Sequence, residues 1–429
     1  MVDTFAPTTS TTPSPTQGPA SRDELSSKTI KMNLGPQHPA THGTLRQEIE
    51  IDGEYVVKCE PEIGFLHTGF EKLAEHMTFN QFVTVTDRMN YFSALCKNIG
   101  WVMAVEEALD IEVTEKCKWF RTCLMEMARI ADHTASVGLQ AMGLGAFSVM
   151  LWSWLQREKL YEIFEWTTGI RLTNGFARVG GMAQDIPEGF VIRSEKFLEG
   201  LPETLRNVEF MLDRNRIWIE RTVGVGSMSA EDLLDYGATG PILRASGVEY
   251  DVRRADPYLV YDQLDFEVVT RNEGDVFSRY KVRMDEIRES AKIIRQCIEK
   301  MPTDGPMNVS SHKAYLPPKG KDASQFREKP TNMEDLIHHF KQVMDSSKMG
   351  NHGLANEAGR EFYSCTEAPN GELGWHVVLR GDGRPHRVRV RPPSLITYQA
   401  FPKMVEGGLI SDLVANLSSL NVIAGELDR

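Results

Sequence analysis

A mainly helical α+β fold is what this sequence predicts: a helical core with small β-sheets formed by the N-terminal and C-terminal segments. Three patterns carry the expectation. Apolar side chains recur at helical spacing from Met89 through Phe92, Cys96, Ile99 and Met103. A face of Leu124, Ala128, Ala131 and Ala135 is small enough for another helix to approach closely, as a bundle core requires. Near each end of the chain an Asp-Gly pair sits between strand-forming runs, the mark of a hairpin.

In chain order, residues 1–29 are rich in Thr, Pro and Ser and read as a disordered tail. An N-terminal β-hairpin region follows at 30–68, with Asp52-Gly53 as its turn and Ile49, Ile51, Tyr55 and Val57 as strand formers. Residues 69–221 read as the helical core, with helices near 70–80, 87–109, 115–142, 152–168 and 202–220 and Thr114 as a natural N-cap. The stretch 222–282 reads as an irregular or β insertion, and the helical core resumes over 283–350 with helices near 283–300 and 331–346. A C-terminal hairpin with Asp382-Gly383 in its turn, then two short helices, fill 351–429. No internal repeat is visible.

Composition narrows the function. A chain of 429 residues with net charge -12 can bury a large core and does not fit a nucleic-acid binder. Its six cysteines, at 59, 96, 117, 123, 297 and 365, form no CxxC pair, so neither a disulfide framework nor a cysteine-ligated cluster is expected. That usage fits a reducing compartment. The first residues lack a basic start followed by an apolar run, which argues against a secretory signal and for a bacterial, cytoplasm-facing protein. Thr134–Gln156 is uncharged and long enough to span a bilayer, but its glycines, glutamines and serines favour a buried helix and loop.

The chemistry-bearing residues are few. In LGPQHPATHGTL, residues 34–45, His38 and His42 stand four apart among prolines and a glycine that oppose a helix. They could hold a metal, meet a substrate or stitch the loop. His67 and His76 flank a helix start and read as structural, and His133, beside Asp132, reads as a packing or hydrogen-bonding histidine. His338 and His339 are adjacent and would face different sides of a helix. Tyr91, after DRMN, could pack its ring and point its hydroxyl at a cavity. Arg244, Arg253, Arg254 and the VRVR run could pair with the chain's acids or dock a partner. No nucleotide fingerprint, P-loop or HExxH appears.

Several long strings, in order, make the chain recognisable: GPQHPATHGTLR, GFLHTGFEK, DRMNY, ERTVGVG, GATGPILRASGVEYDVRR, GDVFSRYKVRMDEIRES and GELDR. From about residue 31 to 429 it resembles the 49 kDa-type, or D-type, subunit of respiratory complex I, the proton-pumping NADH:quinone oxidoreductase. The resemblance implies the fold of the nickel-iron hydrogenase large subunit. Where hydrogenases carry cysteine pairs, this chain reads RMNYFS and SLNVIAGE, without the thiolates that nickel needs. No metal site is therefore expected.

The resemblance implies a quinone-headgroup cavity shared with a small iron-sulfur B-type partner whose [4Fe-4S] cluster delivers electrons. His42 and Tyr91 fall on the family's headgroup-contacting positions, and His38, beside the same cavity, orders the loop. No cofactor is expected on this chain alone; NAD and FMN belong elsewhere in the complex. Further implied partners are the C-type, ferredoxin-like I-type and membrane H-type subunits, in a hetero-oligomer peripheral to the bacterial inner membrane on its cytoplasmic side. Three departures stand out. Gly143 occupies the position of an expected aspartate partner to the histidine, Asn421 replaces the aspartate of a Ser-Leu-Asp string, and Thr173-Asn174 replace a histidine pair. They leave room for a structural or divergent paralogue, or for the equivalent subunit of a complex with a donor other than NADH.

Overall fold

The computed structural model describes residues 29–309, 358–381 and 384–429. The expected tail as far as residue 28, the helix at 331–346 with its two histidines, and the Asp382-Gly383 turn lie outside those residues.

An antiparallel sheet opens the chain: β1 (Ile30–Leu34), β2 (Arg46–Asp52) and β3 (Tyr55–Glu62), in that order. The expected hairpin is β2–β3, but Asp52 pairs with Tyr55, so the two loop residues are Gly53 and Glu54. Gly53 takes the positive φ of 63° that the reversal needs. Ile49 pairs with Cys59 on the buried face.

The helix expected at 70–80 is two pieces, α1 (Phe70–Ala74) and α2 (Phe79–Thr86), because Thr78 and Gln81 form a capping box that starts a new helix. The next helix, α3 (Ala94–Ala108), begins well after residue 87. Asn90 is the cause: its Oδ1 accepts the backbone N–H of Phe92 and of Ser93, both at 3.1 Å, and so offers this turn a partner other than the helix ladder. Thr114 caps α4 (Glu115–Gly143) as expected, accepting the Cys117 N–H at 3.3 Å. A short turn leads to α5 (Phe147–Thr168), so Thr134–Gln156 is a helix–turn–helix. Among the described residues no helix is long and apolar enough to cross a membrane.

A two-residue ladder, β4 (Ala177–Arg178) with β5 (Gly181–Met182), precedes α6 (Phe190–Leu212) and α7 (Arg216–Thr222). The segment 222–282 holds no strand. It folds as α8 (Ala230–Asp235), α9 (Pro241–Arg244), α10 (Val252–Ala255) and a 3₁₀ turn at Tyr261–Gln263, punctuated by glycine and proline and held by buried arginines. Helix α11 (Val276–Lys300) starts earlier than 283, at an Asp275–Ser278 capping box.

A second antiparallel sheet, β6 (Glu361–Ala368), β7 (Gly371–Leu379) and β8 (Pro385–Arg391), contains the expected C-terminal hairpin plus one more strand. Four short helices follow rather than two: α12 (Pro393–Gln399), α13 (Phe401–Val405), α14 (Ile410–Leu420) and α15 (Ala424–Asp428). The sheet packs on α3 at Gly100, where a Cβ would come within 2.9 Å of the Thr366 hydroxyl. Beside it Trp101 and Trp375 meet edge to face at 5.1 Å.

Helix α4 is the axis. It is buried along nearly its whole length, with α3, α5, α11 and α14 packed around it. Burial on every side removes the usual solvent face, so its charged residues must find partners inside the protein.

Candidate functional site

The loop between β1 and β2 is built by its own side chains. His38 caps the single 3₁₀ turn Pro39–Thr41, its Nδ1 accepting the Ala40 N–H at 3.2 Å, and the Thr41 hydroxyl lies within 2.7 Å of the His38 carbonyl oxygen. This commits the His38 Nδ1 to the loop. His42 ends the turn in the left-handed region, φ 49° and ψ 24°, a conformation uncommon outside glycine but one that histidine enters more readily than most residues. Gly43 secures that placement by packing on α15, where a Cβ would stand 3.3 Å from the Ala424 methyl.

The His42 Nε2 is buried and has no hydrogen-bond partner among the described residues. Burial lowers the pKa of the ring, so the imidazole is neutral near pH 7. Gly143, the last residue of α4, faces it: a Cβ there would lie 3.9 Å from both Cε1 and Nε2. The structure thus brings His42 and Gly143 together with no acid between them.

Tyr91 belongs to the turn before α3, which meets α4 at Asp132, eleven residues before Gly143. The preceding residue, Asn90, donates to the Asp132 and Glu426 carboxylates, both at 3.4 Å. Burial raises the Tyr91 phenol's pKa, and the negative charge of Asp132 adds to it. At 1.5 Å per residue, Asp132 and Gly143 are separated along α4 by about 16 Å. Between them on α4, Ser136 Oγ and both polar atoms of Gln140 are buried and without partners among the described residues.

A buried polar cluster closes the Tyr91 end. Asn421 Nδ2 donates to Asp132 Oδ1 at 2.6 Å and to Asn370 Oδ1 at 2.7 Å. Lys97 pairs with Glu426 at 2.7 Å, with neither side chain exposed. Asn90 and Asn421 come from the two strings that stand where hydrogenases carry cysteines, and both reach Asp132. Sequence reasoning missed Asn90, Lys97 and Glu426. The available signal was a lysine inside an otherwise apolar helix, which burial obliges to pair.

The remaining candidates are structural. His133 Nε2 lies 2.7 Å from Glu286 Oε2, and Glu286 also accepts from Arg244 at 2.8 Å. Burial alone would raise the Glu286 pKa; Arg244 and the His133 hydrogen bond outweigh it and hold the carboxyl well below the usual range. Arg253 bridges Asp251 at 2.7 Å and Glu126 at 3.1 Å. The arginines at 244 and 253 thus pair with the chain's own acids. Arg389 and Arg391 of the VRVR run do so too, with Glu71 and Glu372. His67 Nδ1 sits 2.8 Å from the Asp428 carbonyl oxygen, and His76 borders a shallow surface groove with Glu75, Arg380 and His386. Asn174 takes two local hydrogen bonds, to Thr168 and the Ile170 carbonyl. All cysteines but the half-buried Cys365 are buried, and no group of three or more His, Cys, Asp or Glu among the described residues could hold a metal ion.

Comparison with known proteins agrees with this architecture. A family described as respiratory-chain NADH dehydrogenase, 49 Kd subunit, matches residues 143–429. The chain is 47% identical to the D-type subunit of the NADH-quinone oxidoreductase of Leptospira biflexa, over 93% of its own length and 94% of the relative's. It is 42% identical to the corresponding NADH-quinone oxidoreductase subunit of Geotalea uraniireducens, over 94% of its length and 100% of the relative's. Identity to the Myxococcus xanthus counterpart is also 42%, over 94% of each chain. Family match and full-length relatives together give one conclusion: the chain belongs to the 49 kDa, or D-type, subunit family of the respiratory NADH:quinone oxidoreductase, complex I.

Proposed function

We propose that this chain forms, with the small iron-sulfur B-type subunit, the cavity in which a quinone headgroup is reduced to quinol. The observation that carries the reading is the buried, unpartnered Nε2 of His42 beside Gly143 at the end of α4. Electrons come from a [4Fe-4S] cluster held by the B-type partner; this chain's part is to bind, orient and protonate. As negative charge grows on the two carbonyl oxygens, a donor at each end stabilises it. Neutral imidazole carries one N–H and can present it at Nε2. The phenol, whose pKa is raised by burial and by Asp132, keeps its proton until the reduced ring is basic enough to take it.

The way in is apolar. Just past Gly143, α5 exposes Phe147, Leu151 and Leu155 at four-residue spacing, each more than half accessible at 56%, 58% and 58%. That stripe suits the rim of a passage for an isoprenoid tail and contact with the membrane H-type subunit. The C-type and I-type subunits complete the assembly, on the cytoplasmic face of the bacterial inner membrane. Two other readings remain distinct: a structural paralogue with little chemistry, and a complex fed by a donor other than NADH.

The test is inhibitor-sensitive quinone-reductase turnover in membranes carrying Tyr91→Phe, normalised to assembled complex. Loss of one such donor costs about 3 kcal/mol of transition-state stabilisation, a turnover decrease on the order of a hundredfold. Unchanged turnover with normal assembly would remove Tyr91 from the mechanism. Unchanged turnover without the subunit would favour the structural paralogue.

A further inference from the structure

Among the described residues, Asp132 is the buried acid of this cluster with no cation in direct contact. Its Oδ1 accepts from Asn421 at 2.6 Å, its Oδ2 from Asn90 at 3.4 Å, and its side chain is inaccessible to solvent. The other buried carboxylates nearby are neutralised by contact: Glu426 by Lys97, and Glu286 by Arg244. A buried carboxylate held by amides alone is costly and needs a reason.

We propose that Asp132 is a positioning residue for quinone reduction: with Asn421 it forms a carboxylate–amide pair that fixes one negative charge next to the Asn90–Tyr91 turn. The inference rests on the quinone reading above. The groups facing Asp132 from each packed element are Tyr91 and Cys96 on the α3 side, and Arg157 and Tyr161 on α5, while Lys97 is taken by Glu426. Arg283 faces it from α11, with His133 beside it on α4 and Glu426 reached through Asn90. Arg157 and Arg283 act on it through space but make no ion pair with it. The field of that charge opposes phenolate formation at Tyr91, which keeps a proton available at the cavity into the alkaline range.

The pair is built to be exchangeable. Aspartate and asparagine are nearly isosteric, and both tolerate the left-handed backbone of position 421, φ 53° and ψ 47°. Asn370 completes the set: its Oδ1 accepts from Asn421 while its own Nδ2 is buried and unpartnered. If residue 421 carried the carboxylate and residue 132 the amide, turning the Asn370 amide over would let that free Nδ2 donate to the new acceptor. Charge and hydrogen bonds would then be conserved with the roles reversed.

The experiment compares Asp132→Asn, the double variant Asp132→Asn/Asn421→Asp, and Tyr91→Phe in assembled complex. The readout is the pH profile of inhibitor-sensitive reduction of a short-chain quinone. Asp132→Asn is expected to move the alkaline limb about one pH unit lower and cut turnover at alkaline pH about tenfold. The exchanged double variant is expected to restore both. An unmoved limb in Asp132→Asn, or a limb that stays low in the double variant, overturns the inference. Should Asp132→Asn fail to assemble, the double variant alone decides: assembly with a parental profile supports the exchange, and failure overturns it. A Tyr91→Phe variant with parental turnover removes Tyr91 from the mechanism, and this inference with it. A strong Tyr91 effect with a silent Asp132 removes only the inference.

Discussion

His42 and Gly143 face each other across the end of α4, with 3.9 Å between the imidazole Nε2 and the place where a Gly143 side chain would begin. The nearest atom to that place is Val414 Cγ1 at 3.6 Å, so a small side chain fits at ordinary contact distance. Gly143→Asp should therefore put a carboxylate within reach of the unpartnered nitrogen. Burial now lowers the ring's pKa, and an adjacent carboxylate opposes that by roughly 1–2 units. The limb of the pH–turnover profile that reports His42 protonation is expected to move to higher pH, and Gly143→Ala is expected to leave it in place. Equal profiles for the Asp and Ala variants would refute the pairing.

Arg244 bridges two helices and a sheet through Glu286 at 2.8 Å and Glu367 at 2.9 Å, with all three side chains buried. Arg244→Met leaves two carboxylates without their common cation. Breaking a buried pair from one side costs about 3–5 kcal/mol, enough to deplete the subunit from assembled complex. Adding Glu286→Gln removes one orphaned charge and should recover part of the loss. Quantitative immunoblotting of assembled complex against total subunit checks both, and wild-type levels for Arg244→Met would show that the bridge is dispensable.

Asp87 ends α2 almost fully buried, with Oδ1 unpartnered, and burial pushes its carboxyl up to about 7. The unfolded chain releases that proton near 3.8, so native stability falls as pH rises from about 4 toward 7. Asp87→Asn removes the titration. Hydrogen–deuterium exchange of the peptide around residues 79–93, compared at matched pH, should show the smallest difference below about pH 4. Protection in the variant relative to the parent should grow from there to about pH 7 and then level off. A difference independent of pH would place its cause elsewhere.

The sequence revealed most where local chemistry decides the outcome. Thr114 and the small-residue face located α4 because cap and periodicity agree. Periodicity failed over residues 87–93, since the apolar spacing of Met89 and Phe92 continues through a turn that the Asn90 side chain holds open. The histidine loop was visible as a non-helical motif, whereas the choice of His42 over His38 came from resemblance and from no spacing rule. The Asp132 cluster was hidden for a different reason. Asn90 is 42 residues from Asp132 in sequence and Asn421 is 289, and no local pattern encodes which distant amide meets a buried acid. Of the irregular or strand alternatives at 222–282 the strand is not realised: short helices and turns fill the segment, and Arg244 and Arg253 serve internal ion pairs.

The clasp between the two ends of the described chain bears on biogenesis. Asp428 accepts the Gly64 and Leu66 N–H groups at 2.9 and 2.7 Å, and Asn421 and Glu426 reach back to the cluster around Asp132 and Lys97. These late residues leave the ribosome after the helices they lock. Until then Lys97 lacks its counter-ion, Asp132 lacks its principal donor, and the loop before α1 has nothing to close it. Residues 421–428 thus complete the buried cluster around Asp132 and Lys97 only once the last part of the described chain is in place.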